Sequence, residues 1–231
     1  MKELVAGVHS LGGKKGGRVR AFIVDDGHEL TLVDTLFEGD ARLVLEALKA
    51  LGRRPDELRH IVITHAHRSH LGGLAVLKRL SGATVYAHEW EADIISGDRR
   101  AQPVTLKPMQ SIKILPFQVG LALNVPKHTP CDVDQAVSEG DRIGPLGVLH
   151  AAGHSPGHLA FTWPERNFLI AGDAIATWPQ FSAGWRAFNL NKEQHAASVR
   201  RMAGLDAKVV GVGHGDAIVE DAADRVRSLV V

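Results

Sequence analysis

The sequence is poor in cysteine, in aromatic residues and in net charge. Cys131 is the single cysteine among 231 residues, which excludes a framework of intrachain disulfides. The formal net charge is +1 at pH 7, so the composition predicts no nucleic acid or other polyanion as a partner. No apolar run approaches the roughly 20 residues that a membrane-spanning helix needs, which predicts no membrane partner.

The amino terminus and the composition set expectations about location and size. Residues 1–5 show no basic stretch followed by a long apolar region, so we expect no signal peptide and a cytoplasmic location. Apolar residues make up 45% of the chain and charged residues 23%, as in ordinary globular proteins. A chain of this length can bury a large core, and we expect one domain over residues 1–231.

Hydrophobic patterns predict a mixed chain of strands and helices. Strands are expected at 18–24, 29–34, 61–64, 84–87, 133–137, 148–151, 159–163, 168–171 and 208–212. Helices are expected at 40–51, 71–80, 89–96, 191–202 and 217–231. The segment 97–130 has several prolines and no clear periodicity, so we expect a lid or substrate loop with some strand in it.

Three histidines lie close together directly after the apolar run 61–63. They are His65, His67 and His70, within the sequence Thr-His-Ala-His-Arg-Ser-His. A strand that ends in this way brings imidazoles to the edge of a sheet, where a metal ion can bind. His65 and His67 point to the same side of an extended backbone, and His70 is expected to reach a second ion.

The second half of the chain places further metal-ligand side chains after predicted strands. His154 lies in Gly-His-Ser-Pro-Gly-His, Asp173 follows Ala-Gly, and His214 is flanked by glycines. Neutral imidazole and carboxylate suit zinc, and a carboxylate such as Asp173 can bridge two ions. This set therefore predicts a metal site made from both halves of the chain.

Together these motifs resemble the metallo-β-lactamase fold family. The family pattern is H-x-H-x-D-H, then a histidine in a Gly-His turn, an aspartate after Gly-Asp and a late histidine. The chain supplies, in that order, His65, His67, His70, His154, Asp173 and His214. The resemblance covers nearly the whole chain and implies an α+β fold, a four-layer αββα sandwich with the site at one sheet edge.

The resemblance also implies how the ligands are shared between ions. One ion would be held by His65, His67 and His154. The other would be held by His70 and His214, with Asp173 bridging the two. Zinc is the expected metal, as one or two ions, and iron or manganese are alternatives. His88, His158 and Asp216 are candidates to support the ligand side chains without contacting the ion themselves.

Ser69 departs from the family pattern. The family has an aspartate here, which ligates the second ion and helps orient the attacking water. A serine hydroxyl is neutral, so a second ion would lose one compensating negative charge. We therefore predict a weaker second site and an uncertain catalytic role for Ser69, with a one-metal enzyme on the three-histidine site as the competing outcome.

The function implied is that of a zinc-dependent hydrolase on a small-molecule substrate. Metal-activated hydroxide would attack an ester, lactone, thioester or amide carbonyl. The alternatives are a metallo-β-lactamase proper, a mononuclear iron persulfide dioxygenase and a catalytically weak metal-binding domain. The lack of a predicted signal peptide argues against a periplasmic β-lactamase. A glutathione-thioester hydrolase is expected to have more basic recognition residues near its carboxy terminus, and this sequence ends soon after His214. The apolar segment would suit the acyl chain of a lactone.

Four aromatic residues follow Asp173 closely. They are Trp178, Phe181, Trp185 and Phe188. We expect them to line the pocket, to form a homodimer contact or to belong to the core, and the sequence leaves these alternatives open.

Overall fold

The fold consists of two β-sheets that pack face to face between layers of helices. The computed structural model describes residues 1–107 and 109–230. Pro108, in the predicted lid, and Val231, at the end of the predicted terminal helix, lie outside the described residues.

The first sheet comes from the amino-terminal half of the chain. Within the described residues it has seven strands, in the order β1-β2-β3-β4-β5-β6-β7. The strands are β1 Lys2–Val5, β2 Val8–Leu11, β3 Ala21–Asp25, β4 Leu30–Val33, β5 Leu58–Val62, β6 Thr84–Ala87 and β7 Gln135–Ala136. Strands β1 to β4 pair antiparallel, whereas β4 to β7 pair parallel.

The second sheet comes from the carboxy-terminal half. In the part of the chain that the structure describes, it has five strands in the order β12-β11-β10-β9-β8. The strands are β8 Arg142–Ile143, β9 Leu146–His150, β10 Leu159–Trp163, β11 Phe168–Ile170 and β12 Val209–Gly211. Strands β11 and β12 pair parallel, and the pairs β8 with β9, β9 with β10 and β10 with β11 are antiparallel.

Helices alternate with the strands along the chain. They are α1 Lys15–Arg18, α2 Arg42–Ala50, α3 Arg68–Leu71, α4 Leu74–Ser81, α5 Glu89–Ile95, α6 Leu115–Leu123, α7 Lys192–Ala203 and α8 Ala222–Arg227. Short 3-10 helices lie at Pro55–Glu57, Ile112–Ile114, Pro164–Arg166 and Gly172–Ala174. None of these helices, among the described residues, is long and apolar enough to cross a membrane.

Three apolar clusters hold these layers together. The cluster between the sheets takes side chains from both, including Phe22, Val62, Phe161 and Ile170. A second cluster joins the first sheet to α2, α4 and α5, and a third joins the second sheet to α7 and α8. Burial of one face of each sheet against the other, and of the opposite faces against helices, confirms the predicted αββα sandwich.

Most predicted elements are confirmed, with boundaries shifted by a few residues. The predicted hairpin is β3 and β4, and the strands at 84–87 and 159–163 coincide with β6 and β10. Three strands were not predicted. They are β1 and β2, which pair at the edge of the first sheet, and the short β8. The first two residues of β1, Lys2 and Glu3, are exposed and charged, so the sequence shows little of the apolar alternation that marks a strand.

Two predictions were wrong. Strand was expected within 97–130, but the described part of this segment contains α6, where Pro116 occupies the first turn and Asn124 ends the helix in a left-handed conformation. A terminal helix was expected at 217–231, but α8 is much shorter. The chain before α8 is extended instead, because Ile218 pairs with Val210.

Candidate metal centre

Strand ends from both sheets meet at one edge of the sandwich. The first sheet contributes the histidines that follow β5, and the second contributes residues that follow β9, β11 and β12. The side chains brought together are His65, His67, His70, His154, Asp173 and His214. Each of the six is at most 9% exposed.

Four of these side chains form a first ligand group, His65, His67, His154 and Asp173. Nδ1 of His67 lies 3.0 Å from Nε2 of His65 and 3.1 Å from Nε2 of His154. Oδ2 of Asp173 lies 3.4 Å from Nε2 of His154 and 3.7 Å from Nε2 of His65. The four ligand atoms lie within 4.8 Å of one another, so a single ion can contact all of them.

A second ligand group is formed by His70, Asp173 and His214. Nε2 of His214 lies 3.2 Å from Oδ2 of Asp173, and Nε2 of His70 lies 3.4 Å from Oδ1. Asp173 therefore belongs to both groups, in the position that a bridging carboxylate needs.

Four histidines are oriented by hydrogen bonds at the ring nitrogen that faces away from the centre. The acceptors of the Nδ1 protons are Asp34 Oδ2 for His70 at 2.7 Å, Gly17 O for His214 at 3.0 Å, Thr64 Oγ1 for His65 at 3.0 Å and Asn189 Oδ1 for His154 at 3.3 Å. In a neutral imidazole, a proton on Nδ1 leaves a lone pair on Nε2, which faces the centre. This is the tautomer that a metal ligand requires.

The centre fits a metal ion in a further respect. Within the described residues, His70 Nε2 and Asp173 Oδ1 are buried and have no hydrogen-bond partner. A buried polar atom without a partner costs about 1–3 kcal/mol, and an ion would satisfy both. Imidazole nitrogens with one carboxylate suit zinc, and iron or manganese can also use them.

Burial lowers the pKa of the histidines in the first group. The pKa values of His65 and His154 lie well below the usual range, and that of His67 is lowered to about 4. In all three, burial is the largest cause, because removal from water disfavours the charged imidazole. These histidines are neutral at pH 7, which is the form that binds a metal.

His70 differs because two carboxylates flank it. Burial opposes its charge, but Asp34 and Asp173 outweigh burial and raise the pKa of His70 to about 10. Burial likewise acts to raise the pKa of Asp173, but His214 and His70 hold it well below its usual range. A metal in the second group must therefore displace a proton from His70.

Asp34 is a supporting residue that the sequence reasoning missed. It follows β4, is 1% exposed, and accepts from the backbone N–H of Thr64 at 2.9 Å as well as from His70. The Thr64 hydroxyl also donates to Asp34, which leaves its oxygen free to accept from His65. The available signal was a carboxylate directly after a buried strand, beside the strand that precedes the histidines.

Glu91 is a second buried carboxyl that was missed. Its Oε2 accepts from the backbone N–H of Ala66 at 3.0 Å, and its Oε1 accepts from the Ser155 hydroxyl. Burial raises the pKa of Glu91. The residue ties the loop of His65 to the loop of His154. In the sequence it appears as an ordinary acidic residue in the first turn of a helix.

The predicted supporting histidines lie in different settings. Nε2 of His158 accepts from the backbone N–H of Asp173 at 3.0 Å, and burial lowers the pKa of His158 to about 3, which keeps it an acceptor. His88 is placed elsewhere. Its Nδ1 accepts from the backbone N–H of Trp90 at 3.1 Å, so it caps α5 and stacks on His150 rather than bonding to a ligand.

Asp216 also lies apart from the ligands. Its side chain is 81% exposed and pairs with Arg20 at 2.9 Å. Its position next to His214 therefore adds no buried negative charge to the second group. Ser69 lies half-buried on α3 and lines the same cavity as Asp173 and His214.

The predicted aromatic residues divide between this site and the core. Trp185 stacks on His214, with ring centroids 4.1 Å apart, and Phe188 lies 5.7 Å from the ring of His67. Trp178 packs against Trp185, whereas Phe181 packs with the cluster beneath α7 and α8. Trp185 and Phe188 line a cavity of about 530 Å³ that opens onto the centre.

A family model described as the metallo-beta-lactamase superfamily matches residues 15–214. The chain belongs to this superfamily. The match spans all six ligand residues and confirms the resemblance that their order indicated.

Relatives within the superfamily carry several names. The chain is 28% identical over 225 residues to the uncharacterized protein YobT of Bacillus subtilis, covering 92% of this chain and 89% of the relative. It is 31% identical over 176 residues to a hydroxyacylglutathione hydrolase of Pseudomonas aeruginosa, covering 73% and 51%. It is 26% identical over 202 residues to thioesterase pkgB of Emericella nidulans, covering 86% and 46%. The chain thus spans about half the length of the latter two.

A solved structure of the superfamily has the same fold. The protein TTHA1623, crystallised in a di-iron-bound form, superposes with a TM-score of 0.66 at 26% identity, covering 95% of this chain and 97% of its own.

We expect Asp34→Asn to weaken metal binding in the second group. The Asp34 carboxylate accepts from both Thr64 and His70. An asparagine amide has one oxygen that accepts, but its nitrogen can only donate, so one of these hydrogen bonds is lost. Loss of such a support lowers metal affinity by about 10–100-fold. Calorimetric metal titration measures the change. Asp216→Asn is the matched control, and an unchanged affinity for the second ion in Asp34→Asn would contradict this role.

We expect Gly213→Ala to disturb both ligand groups of the candidate metal centre. A Cβ at Gly213 would lie 1.9 Å from Oδ1 of Asp173, so the shared carboxylate must move. Metal content after dialysis should fall while circular dichroism still reports a folded protein. Gly13→Ala is the control, since the nearest atom to its Cβ would be 3.8 Å away. Retention of the full metal content by Gly213→Ala would refute the argument.

Proposed function

We propose that this protein is a zinc-dependent hydrolase that acts on acyl thioesters and esters. The observation that carries the proposal is the direction of the lone pairs. Hydrogen bonds at Nδ1 aim the Nε2 atoms of four histidines at Asp173, beside a cavity large enough for a small molecule. The reaction adds water across the acyl bond and releases a carboxylic acid with a thiol or an alcohol.

The names of two relatives support the choice of substrate. One relative is a hydroxyacylglutathione hydrolase and another is a thioesterase. Both names describe cleavage of an acyl bond to sulfur. The chain spans about half the length of each of these relatives, so their substrates do not carry over to it directly. Thioester cleavage is therefore a proposal for this chain.

Zinc, when bound, would supply Lewis-acid activation of water and of the substrate carbonyl at neutral pH. The residues of the chain hold the centre in place for this chemistry. The neutral histidines contribute no charge, and Asp173 contributes the negative charge that both groups share. Trp185 stacks on the ring of His214, and Phe188 meets the ring of His67 edge to face, so both place apolar surface beside the centre.

The two ligand groups are unequal, and we propose that the first binds its ion more tightly. The first group has three neutral histidines with low pKa values besides Asp173. The second has two histidines, one of which holds a proton that the ion must displace. Ser69 brings a neutral hydroxyl to the cavity beside this group, so it does not offset the charge of a second ion.

Zinc-loaded protein should cleave thioesters and esters faster than amides with the same acyl group, and faster than β-lactams. Release of thiol or acid is measured across this matched panel. His154→Ala should lower the rate by roughly two orders of magnitude, because it removes a ligand. His28→Ala removes an exposed histidine and serves as the control. If the metal-replete protein cleaves no member of the panel, the proposed function fails.

Ser69→Asp should strengthen binding of the second ion. The added carboxylate supplies the negative charge that the second group lacks, so metal analysis at limiting zinc should move from one ion per chain toward two. Ser228→Asp adds the same charge at an exposed position on the far side of the second sheet and should leave the stoichiometry unchanged. Equal metal content and activity in Ser69→Asp and the parent protein would show that this position does not control the second site.

A further inference from the structure

The cavity beside the centre is lined by basic side chains that the proposed function does not use. Four cationic residues line it, Arg68, Arg99, Arg100 and Lys127. Among the described residues that line the cavity, the one carboxylate is Asp173, which is already engaged by the histidines. The wall therefore carries an excess of positive charge.

Most of this positive charge is not neutralised by nearby acids. Arg99 lies over the ring of Trp90 at 4.1 Å, and its Nε is 3.9 Å from Asp93. Arg68, Arg100 and Lys127 have no carboxylate within 4.0 Å in the part of the chain that the structure describes, although the charge of Glu38 acts on Arg68 from a longer distance. An unpaired cation in a concave site raises the local concentration of anions and favours their binding.

Arg68 is held in place next to the metal ligands. It directly follows His67, its Nη1 donates to the backbone oxygen of Phe37 at 2.7 Å, and its Nε donates to that of Lys127 at 3.1 Å. The guanidinium also lies 4.6 Å from the centre of the Phe37 ring. These contacts satisfy part of the guanidinium and fix its position, so little side-chain entropy remains to be lost when an anion binds.

The remaining wall of the cavity is apolar. Trp185 and Phe188 lie against the ligand histidines, and Phe117 and Leu121 of α6 pack with them in the same cluster. A substrate that occupies this cavity can therefore contact both apolar side chains and cationic side chains. A binding site of mixed apolar and charged character selects a ligand that has both properties.

We propose that the substrate is an acyl thioester or ester whose apolar acyl chain lies against the aromatic wall and whose leaving group carries a carboxylate or phosphate. The anionic group binds at the cationic wall formed by Arg68, Arg100 and Lys127. The inference rests on the proposed function and specifies its substrate class. The basic residues that recognise the anion come from the chain between residues 68 and 127, whereas the sequence argument looked for them at the carboxy terminus.

The test uses matched pairs in which one member carries an anionic group that the other lacks. S-Hexanoyl-3-mercaptopropionate is compared with its amide, and S-hexanoyl-4′-phosphopantetheine with S-hexanoylpantetheine. With zinc-loaded protein, kcat/KM should favour the anionic member of at least one pair by roughly 10-fold or more, mainly through KM, because hydrogen bonds to charged groups are strong. The pair with the larger ratio identifies carboxylate or phosphate as the preferred anion.

The double variant Arg100→Gln/Lys127→Gln removes two cations from the wall and leaves the backbone contacts of Arg68 in place. Its ratio between anionic and neutral substrates should fall several-fold toward one. Lys49→Gln/Arg79→Gln is the matched control, since it removes two exposed charges from α2 and α4, outside the cavity, and should keep the parent ratio. Equal kcat/KM within both pairs, or a double variant that keeps the parent ratio, would overturn the proposal.

A binding measurement separates this inference from the proposed function. Calorimetry on the metal-free protein uses the non-hydrolysable amide analogues of the same anionic and neutral compounds, so the anion has no metal to bind. Tighter binding of the anionic analogue, lost in the cavity variant, would support the cationic wall even if the loaded protein cleaved no thioester. Equal binding of the two analogues would count against it whether or not hydrolysis occurs.

Discussion

Four imidazole rings donate an Nδ1 proton to a fixed oxygen, and the rest of the metal centre depends on these hydrogen bonds. They restrict ring rotation and aim the Nε2 atoms at Asp173, and in the neutral histidines they also determine the tautomer. Two of the acceptors, Asp34 and Thr64, follow strands β4 and β5 of the first sheet, whereas Gly17 lies in α1 and Asn189 shortly before α7. Asp34 has a central place among them, because it binds His70 directly and reaches His65 through the Thr64 hydroxyl.

Burial and charge make the two halves of the centre different. In the first group, burial keeps the histidines neutral, so lone pairs are available without loss of protons. In the second group, Asp34 and Asp173 stabilise the protonated form of His70, and the neutral hydroxyl of Ser69 lies nearby. A single carboxylate, Asp173, couples the groups. The cavity beside the centre also has two kinds of lining, aromatic rings that contact the histidines and cationic side chains elsewhere on its wall.

Much of the fold, and the set of side chains that the structure brings together at the candidate metal centre, could be predicted from the sequence, because their signals are local. Apolar runs mark the strands, and each ligand follows a strand end. The strand expected within 97–130 was wrong because the apolar run after Pro116 forms α6, and a uniformly apolar run has no period that separates strand from helix. Asp34 and Glu91 were missed because their partners lie 36 and 64 residues away in the chain.

The sequence by itself determined the chemistry and order of the ligands, since residue type and position after a strand are properties of the chain alone. Only the tertiary structure decided which neighbours support those ligands. It placed His158 on Asp173, directed His88 to a helix cap and left Asp216 in solvent. It also brought the cations from Arg68 to Lys127 into one cavity. The physical reason is that burial and hydrogen bonding depend on contacts between distant segments, which leave no periodic pattern in the sequence.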